Sequence, residues 1–342
     1  MAARLFQRLR VKNPAELASK AHQAFVRLPY ESSQGRIVEE ISRLMTGMKE
    51  CMFGEDEEHC SKENALVIAR EACKTELVSE IVDCLGMLDF ETRKDAAQIF
   101  GAIMRLEDES GHCPGKDYVQ SHPDVLPTLF DGFSSSEIAL NCEEMFRECV
   151  RHEEIAEQVL NSEMFLELFE KLHDTEFELA SDAFETFKDL LTRHKRAAAN
   201  YLVQHYDRFL EEYSKLLLSS NYFTRRQSVK LLGELLLERA NVRILVKYVA
   251  DPENLKTMMN LLKSSAKSIQ WEAFHVFKVF VANPNKSPAV VDILLSNREK
   301  LLEYFKDFEK DRTDTQFLEE KAVIIQEISD LKPMESMDAP GA

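Results

Sequence analysis

Apolar positions along this chain recur at helical spacing, and they do so in blocks. One arrangement appears five times: a small or polar pair, then an apolar run that ends on a bulky side chain. The instances are Arg93-Lys-Asp-Ala-Ala-Gln-Ile-Phe100, Ala139-Leu-Asn-Cys-Glu-Glu-Met-Phe146, Ala180-Ser-Asp-Ala-Phe-Glu-Thr-Phe187, Arg225-Arg-Gln-Ser-Val-Lys-Leu-Leu232 and Gln270-Trp-Glu-Ala-Phe-His-Val-Phe277. The bulky anchors are separated by 46, 41, 45 and 45 residues. Four residues before each anchor stands a small side chain: Ala96, Cys142, Ala183, Ser228 or Ala273. Residues one turn apart share a helix face, so this pairing suits close packing of one helix on another. The position just before the anchor is mostly apolar and widens the buried stripe. Five before it sits a polar residue: Asp95, Asn141, Asp182, Gln227 or Glu272.

A second apolar helix precedes each instance, as in Glu76–Leu85, Glu163–Phe169, Tyr206–Leu217 and Pro252–Leu262. Short polar breaks such as Ser134-Ser-Ser136, Asp174-Thr175, Ser219-Ser-Asn221 and Ser264-Ser265 join the pairs. A period of about 40 to 47 residues with two or three helices is the armadillo/HEAT pattern. No pair buries its stripe alone; stacked neighbours bury it jointly, which predicts a curved rod with a concave binding face. The expected fold is therefore an all-α armadillo/HEAT-like solenoid over residues 15–331. Residues 15–50 read as one or two capping helices, with Asn13-Pro14 as a helix start, and residues 315–331 as a closing amphipathic helix. A basic segment, residues 1–14, precedes the array. It mimics an organelle transit peptide but reads better as a frayed first turn. Residues 332–342 are expected to be a disordered tail.

Composition agrees with the pattern. The 342 residues include 10 Gly and 10 Pro, few enough to leave long helices unbroken. The formal net charge of −17 argues against nucleic acid, since phosphate contacts need Lys and Arg, and it keeps the chain soluble or attracts a basic partner. The seven cysteines are odd in number and contain no CxxC, which fits reduced thiols and a cytoplasmic protein. No apolar run is long enough for a membrane span.

Catalytic and metal motifs are missing. There is no GxGxxG, GxxxxGK[ST], GxSxG or HExxH, and His152-Glu-Glu-Ile-Ala-Glu157 lacks the second histidine of a zinc helix. The acidic stretches 55–59 and 107–109 lack the spacing and turn glycine of a calcium loop. Cys142 and Cys149, seven apart, and the His59-Cys60 and His112-Cys113 pairs do not make the four-ligand spacing of a zinc site. No enzyme, cofactor or metal is expected. What remains is surface. Arg226 and Lys230 lie one turn apart and off the apolar stripe, and one repeat later Trp271 and His275 hold the corresponding positions. Arg and Trp are residue types enriched in binding hot spots. Ordinary surface cations beside a half-buried Trp fit the pattern equally well.

Several of these segments resemble the calcium-binding protein 39 family. They are Ile138–Cys142 with Met145 and Arg147-Glu-Cys149, Ala180–Phe184 with Thr186–His194, Arg226–Leu237, Pro252–Lys256 and Glu272–Lys286. The resemblance runs from about Asp89 to Arg312 and is looser outside it. It implies an armadillo-like scaffold that binds and allosterically activates protein kinases. The implied partners are a Ste20-type kinase or pseudokinase and, with it, a liver-kinase-type serine/threonine kinase. It implies a concave surface that holds the kinase domain, and a separate apolar pocket for a partner's Trp-Glu-Phe tail. Arg226 and Met259 fall on positions the family uses for binding, with Tyr222, Lys230, Lys256, Phe274 and Lys278 around them; Trp271 joins this set from the residue pattern. The expectation is that Arg226 pairs with an acidic group of the kinase and that Met259 fills an apolar contact. The competing reading is a passive armadillo adaptor that bridges two proteins and activates neither.

Overall fold

The computed structural model describes residues 13–54, 61–172 and 177–333, without the side chains of Phe177 and Glu178. The basic segment up to Lys12, His59-Cys60, Asp174-Thr175 and the tail from Met334 lie outside the described residues. Among the described residues there are twenty α-helices and no strands. The chain divides into two compact units, Met1–Ala197 and Ala198–Ala342.

The first unit holds α1 (Pro14–Arg27), α2 (Gln34–Phe53), α3 (Lys62–Lys74), α4 (Leu77–Asp83), α5 (Phe90–Arg105), α6 (Pro114–Ser121), α7 (Val125–Gly132), α8 (Ala139–Cys149), α9 (Glu153–Leu160), α10 (Glu163–Lys171) and α11 (Phe177–Thr192). At the boundary is α12 (Lys195–Gln204). The second unit continues with α13 (Tyr206–Leu217), α14 (Tyr222–Leu237), α15 (Val242–Ala250), α16 (Pro252–Leu261), α17 (Lys267–Ala282), α18 (Pro288–Ser296), α19 (Arg298–Asp307) and α20 (Thr315–Asp330). The expected starts are visible in the caps. Asn13, Asp89, Asn221, Asp251 and Asp314 each accept a backbone N–H from the first turn of the helix that follows. Pro14 and Pro252 sit in first turns, where a missing N–H costs nothing.

The five recurring segments lie on α5, α8, α11, α14 and α17. All five anchors are buried, and so are the five small residues and the five residues just before the anchors. In the first unit α2, α5, α8 and α11 pack one on the next; in the second, α14, α17 and α20 do the same. The small residues admit the neighbouring helix and the anchors fill the space beside it. This is a helical-repeat solenoid architecture, in which α5 and α8 of the first unit and α17 of the second each pack between the preceding and the following helix of their own unit.

Polar links bridge the same steps. Lys49 reaches Asp95 at 2.6 Å, Arg105 reaches Glu148 at 2.9 Å and Arg147 reaches Asp182 at 3.6 Å. His152 and His194 each donate Nε2–H to a carbonyl of the preceding repeat, Met104 at 2.7 Å and Val150 at 3.1 Å. Each ring thereby ties its repeat to a backbone carbonyl of the one before it. Cys113, Cys142 and Cys149 are buried, and burial pushes the Cys142 thiol up to about 12. Among the described residues no group of three or more His, Cys, Asp and Glu is placed to hold a metal ion. None of the described helices is long and apolar enough to cross a membrane.

Candidate functional site

The surface residues singled out in the second unit lie on α14, α16 and α17. Asn221 caps α14 through Phe223 and Thr224, which fixes Tyr222 in the first turn and brings its hydroxyl to Ser268 at the start of α17, 2.5 Å away. One turn on, Arg226 meets Glu272 of α17 at 3.8 Å. Burial pushes the Glu272 carboxyl up, and the Arg226 and Lys230 charges pull against it. Lys230 is exposed and has no salt bridge among the described residues. On the far side of α17, Lys278 bridges to Glu320 of α20 at 2.7 Å. Burial raises the Glu320 carboxyl, but hydrogen bonds from Lys278 and Gln316 outweigh it and hold the group below the usual carboxylate range. Three helices are thus pinned edge to edge by Tyr222–Ser268, Arg226–Glu272 and Lys278–Glu320.

Trp271 stands half-buried in the middle of this face. Its indole packs against Phe317 at 5.1 Å and meets the His275 ring edge-on at 4.7 Å, while the Arg312 guanidinium lies 3.5 Å from the ring centre. Arg312 belongs to the segment between α19 and α20, so the indole face is covered from within the chain. Burial and the Lys278 charge hold His275 below its ordinary pKa. The ring therefore adds no positive charge to this face near neutral pH.

The structure brings Arg226, Lys230, Tyr222, Trp271 and Lys278 onto the edges of neighbouring helices. It does not bring the others to the same exposed place. Phe274 is fully buried among Phe305, Phe308 and Phe317, so it supports the surface from beneath and does not belong to it. Met259 is 9% exposed on α16, so most of its contact is with its own fold. Lys256, also on α16, is exposed and paired with Glu253 one turn away at 2.6 Å. Arg226 also has an acid within its own chain, Glu272 at 3.8 Å, while its side chain stays part-exposed. Sequence reasoning missed Glu272, Glu320 and Arg312. A signal for the first was present: Lys49 and Asp95 stand 46 residues apart, as Arg226 and Glu272 do, and each acid is the polar residue five before an anchor.

Comparison with known proteins adds what geometry cannot. The profile of the Mo25-like family matches residues 4–332. The chain belongs to the Mo25-like family. The "Degreening-related gene dee76 protein" of Auxenochlorella protothecoides is 62% identical to it over 310 residues, covering 91% of this chain and 97% of that protein. The human "Calcium-binding protein 39-like" is 45% identical over 323 residues, covering 94% and 96%. A designed armadillo repeat protein aligns with 76% of this chain and 99% of its own, at 13% identity and a TM-score of 0.43. The fold assignment rests on the helices described above and not on that likeness. The Mo25-like match extends well before Asp89 and past Arg312. The capping helices and the closing helix α20 therefore lie within the span that the family profile matches.

Proposed function

We propose that this Mo25-like chain is a non-catalytic scaffold that binds a protein kinase or pseudokinase of the Ste20 type and shifts it toward its active shape. An associated liver-kinase-type serine/threonine kinase is activated in the same assembly, and a Trp-Glu-Phe-type tail of the partner is held at a separate pocket. The work is done in the cytoplasm, without a cofactor. The observation that supports this reading is the pinned face of α14, α17 and α20. Its side chains are held by cross-helix links before any partner arrives, so little ordering remains to be done on binding. A rigid surface that fits the active shape better than the inactive one moves the equilibrium by that difference in affinity. About 2–3 kcal/mol raises a rare active population by about 30- to 150-fold.

The test is to add the purified protein to a purified Ste20-type kinase and follow turnover of a peptide substrate. An activator raises turnover at saturating scaffold. A passive adaptor co-purifies with the kinase and leaves turnover unchanged. The variant to compare is Arg226→Ala with Lys230→Ala, because both side chains reach solvent and their loss leaves the core intact. Full activation by that double variant, with unchanged pull-down, removes these two residues from the docking face.

A further inference from the structure

A second surface in the same unit adjoins the cation-bearing face and shares the Lys278–Glu320 pair with it. Exposed large apolar side chains are scattered elsewhere, but three of them converge here: Leu237 at the end of α14 (61% exposed), Val246 on α15 (63%) and Val323 on α20 (55%). With Val249, Val279 and Ile324 they line an open groove of about 650 Å³ between α14, α15, α17 and α20. Its volume is in the range of ligand-binding clefts, and its lining is aliphatic. The polar groups on its wall include the Lys278–Glu320 pair, already neutral as a pair, and the exposed Glu319.

The groove meets a second hollow at Ala250, which lines both. This one, about 500 Å³, is acidic: Asp207, Glu211, Asp251 and Glu253 line it against the single ammonium of Lys247. Lys247 is spent on Asp207 at 2.7 Å and lies over the Tyr206 ring at 4.0 Å. Glu253 holds Lys256, and Asp251 caps α16, but Glu211 has no salt bridge among the described residues. Tyr206 also lines the hollow; it is 8% exposed, and its hydroxyl sits beside Asn254.

We propose that this joined surface docks a short peptide segment of a protein partner, one in which branched apolar residues are followed by Arg or Lys. The aliphatic part lies in the groove and covers Leu237, Val246 and Val323. The basic part enters the acidic hollow, where its charge meets Glu211 and its neighbours and its N–H groups reach the Tyr206 hydroxyl. Charge decides the occupant: a carboxylate-bearing tail would be repelled where this one is drawn in. The site is therefore separate from any pocket for an acidic tail, and it stands whether or not the partner is a kinase.

Fluorescence anisotropy on the full chain tests it, with fluorescein-labelled Leu-Val-Leu-Leu-Gly-Arg-Arg-Lys as the probe. Saturable binding is expected. Replacing the three bases by Glu, or the four aliphatic residues by Ser, weakens it by at least about tenfold. Val246→Glu weakens the original probe to a similar degree, and Asp207→Lys with Glu211→Lys reverses the preference toward the Glu-bearing peptide. These positions are exposed, and the peptide arms on the unaltered protein do not depend on how any variant folds. The proposal is overturned by an absence of saturable binding. It is equally overturned if the Ser-substituted basic peptide binds as well as the probe, which is attraction to the net charge alone, or if an acidic peptide ending in Trp-Glu-Phe competes for the same groove.

Discussion

Arg312→Ala isolates the contact that covers the indole of Trp271. The guanidinium stacks 3.5 Å from the ring centre, and it also pairs with Glu309, one turn away at 3.5 Å, from a side chain that stays 43% exposed. A cation on an aromatic face at a partly exposed site contributes about 0.5–1 kcal/mol. The Glu309 pair adds little, since exposed ion pairs are worth about 0–1 kcal/mol. Phe317 stays against the indole, so the ring is uncovered on one side and not expelled. The expected loss is therefore about 0.5–1 kcal/mol, or a melting-point drop of about 1–4 °C for a unit of this size. Trp271 is the only tryptophan in the chain, so its fluorescence needs no deconvolution. In Arg312→Ala the emission should shift to the red and quenching by acrylamide should rise, while Arg312→Lys keeps part of the protection. Unchanged emission and quenching in Arg312→Ala would mean that the guanidinium does not cover the ring in solution, and the argument that the Trp271 face is occupied from within the chain would fail.

Phe277→Ala removes a fully buried anchor that packs against Phe305 at 5.6 Å, and should cost about 3–5 kcal/mol in a denaturant melt. Met259→Ala should cost about 2–5 kcal/mol by the same cavity argument, so lost kinase activation in that variant counts only if a melt shows the unit still folded. Arg226→Ala, by contrast, breaks a long, partly exposed pair and should change stability by less than about 1 kcal/mol while weakening kinase activation. Acid stability should depend on Glu320 and His275 in the same direction. The Glu320 carboxyl is held below its unfolded value, so its contribution is complete above the unfolded carboxylate pKa and is lost as pH falls through the folded one. The neutral His275 is favoured by the fold, so stability falls as pH drops below the unfolded imidazole pKa. Melts from pH 7 to 4 check both, and Lys278→Met should flatten the lower part of the profile.

The repeat was legible because packing leaves a strong periodic trace. Ala96, Cys142, Ala183, Ser228 and Ala273 differ in chemistry but are alike in size, and size is what a helix needs at a close crossing. The anchors Phe100, Phe146, Phe187, Leu232 and Phe277 are alike in bulk for the complementary reason. Both sets are buried without exception. Boundaries were read less well where backbone geometry decides them. Glu76 looked like the first residue of a helix, but it takes a left-handed conformation (φ 63°) and α4 begins at Leu77.

The surface was legible only in part, because a sequence shows which residues are charged but not whether they are already paired. Arg226 and Lys230 read as a pair of surface cations on an acidic protein. The fold gives Arg226 a carboxylate on the neighbouring helix, 46 residues away, and Lys278 one 42 residues away. The same spacing that stacks the anchors also sets these pairs, since residues one repeat apart become neighbours on adjacent helices. In a solenoid, then, a charge must be weighed against the residue one period along before it is assigned to a partner. By that measure, among the described residues, Lys230 is a cation left over on the α14–α17 face, and Glu211 an acid left over in the hollow beside α15. Those two unspent charges, opposite in sign and on different surfaces, are where partners of different chemistry would be told apart.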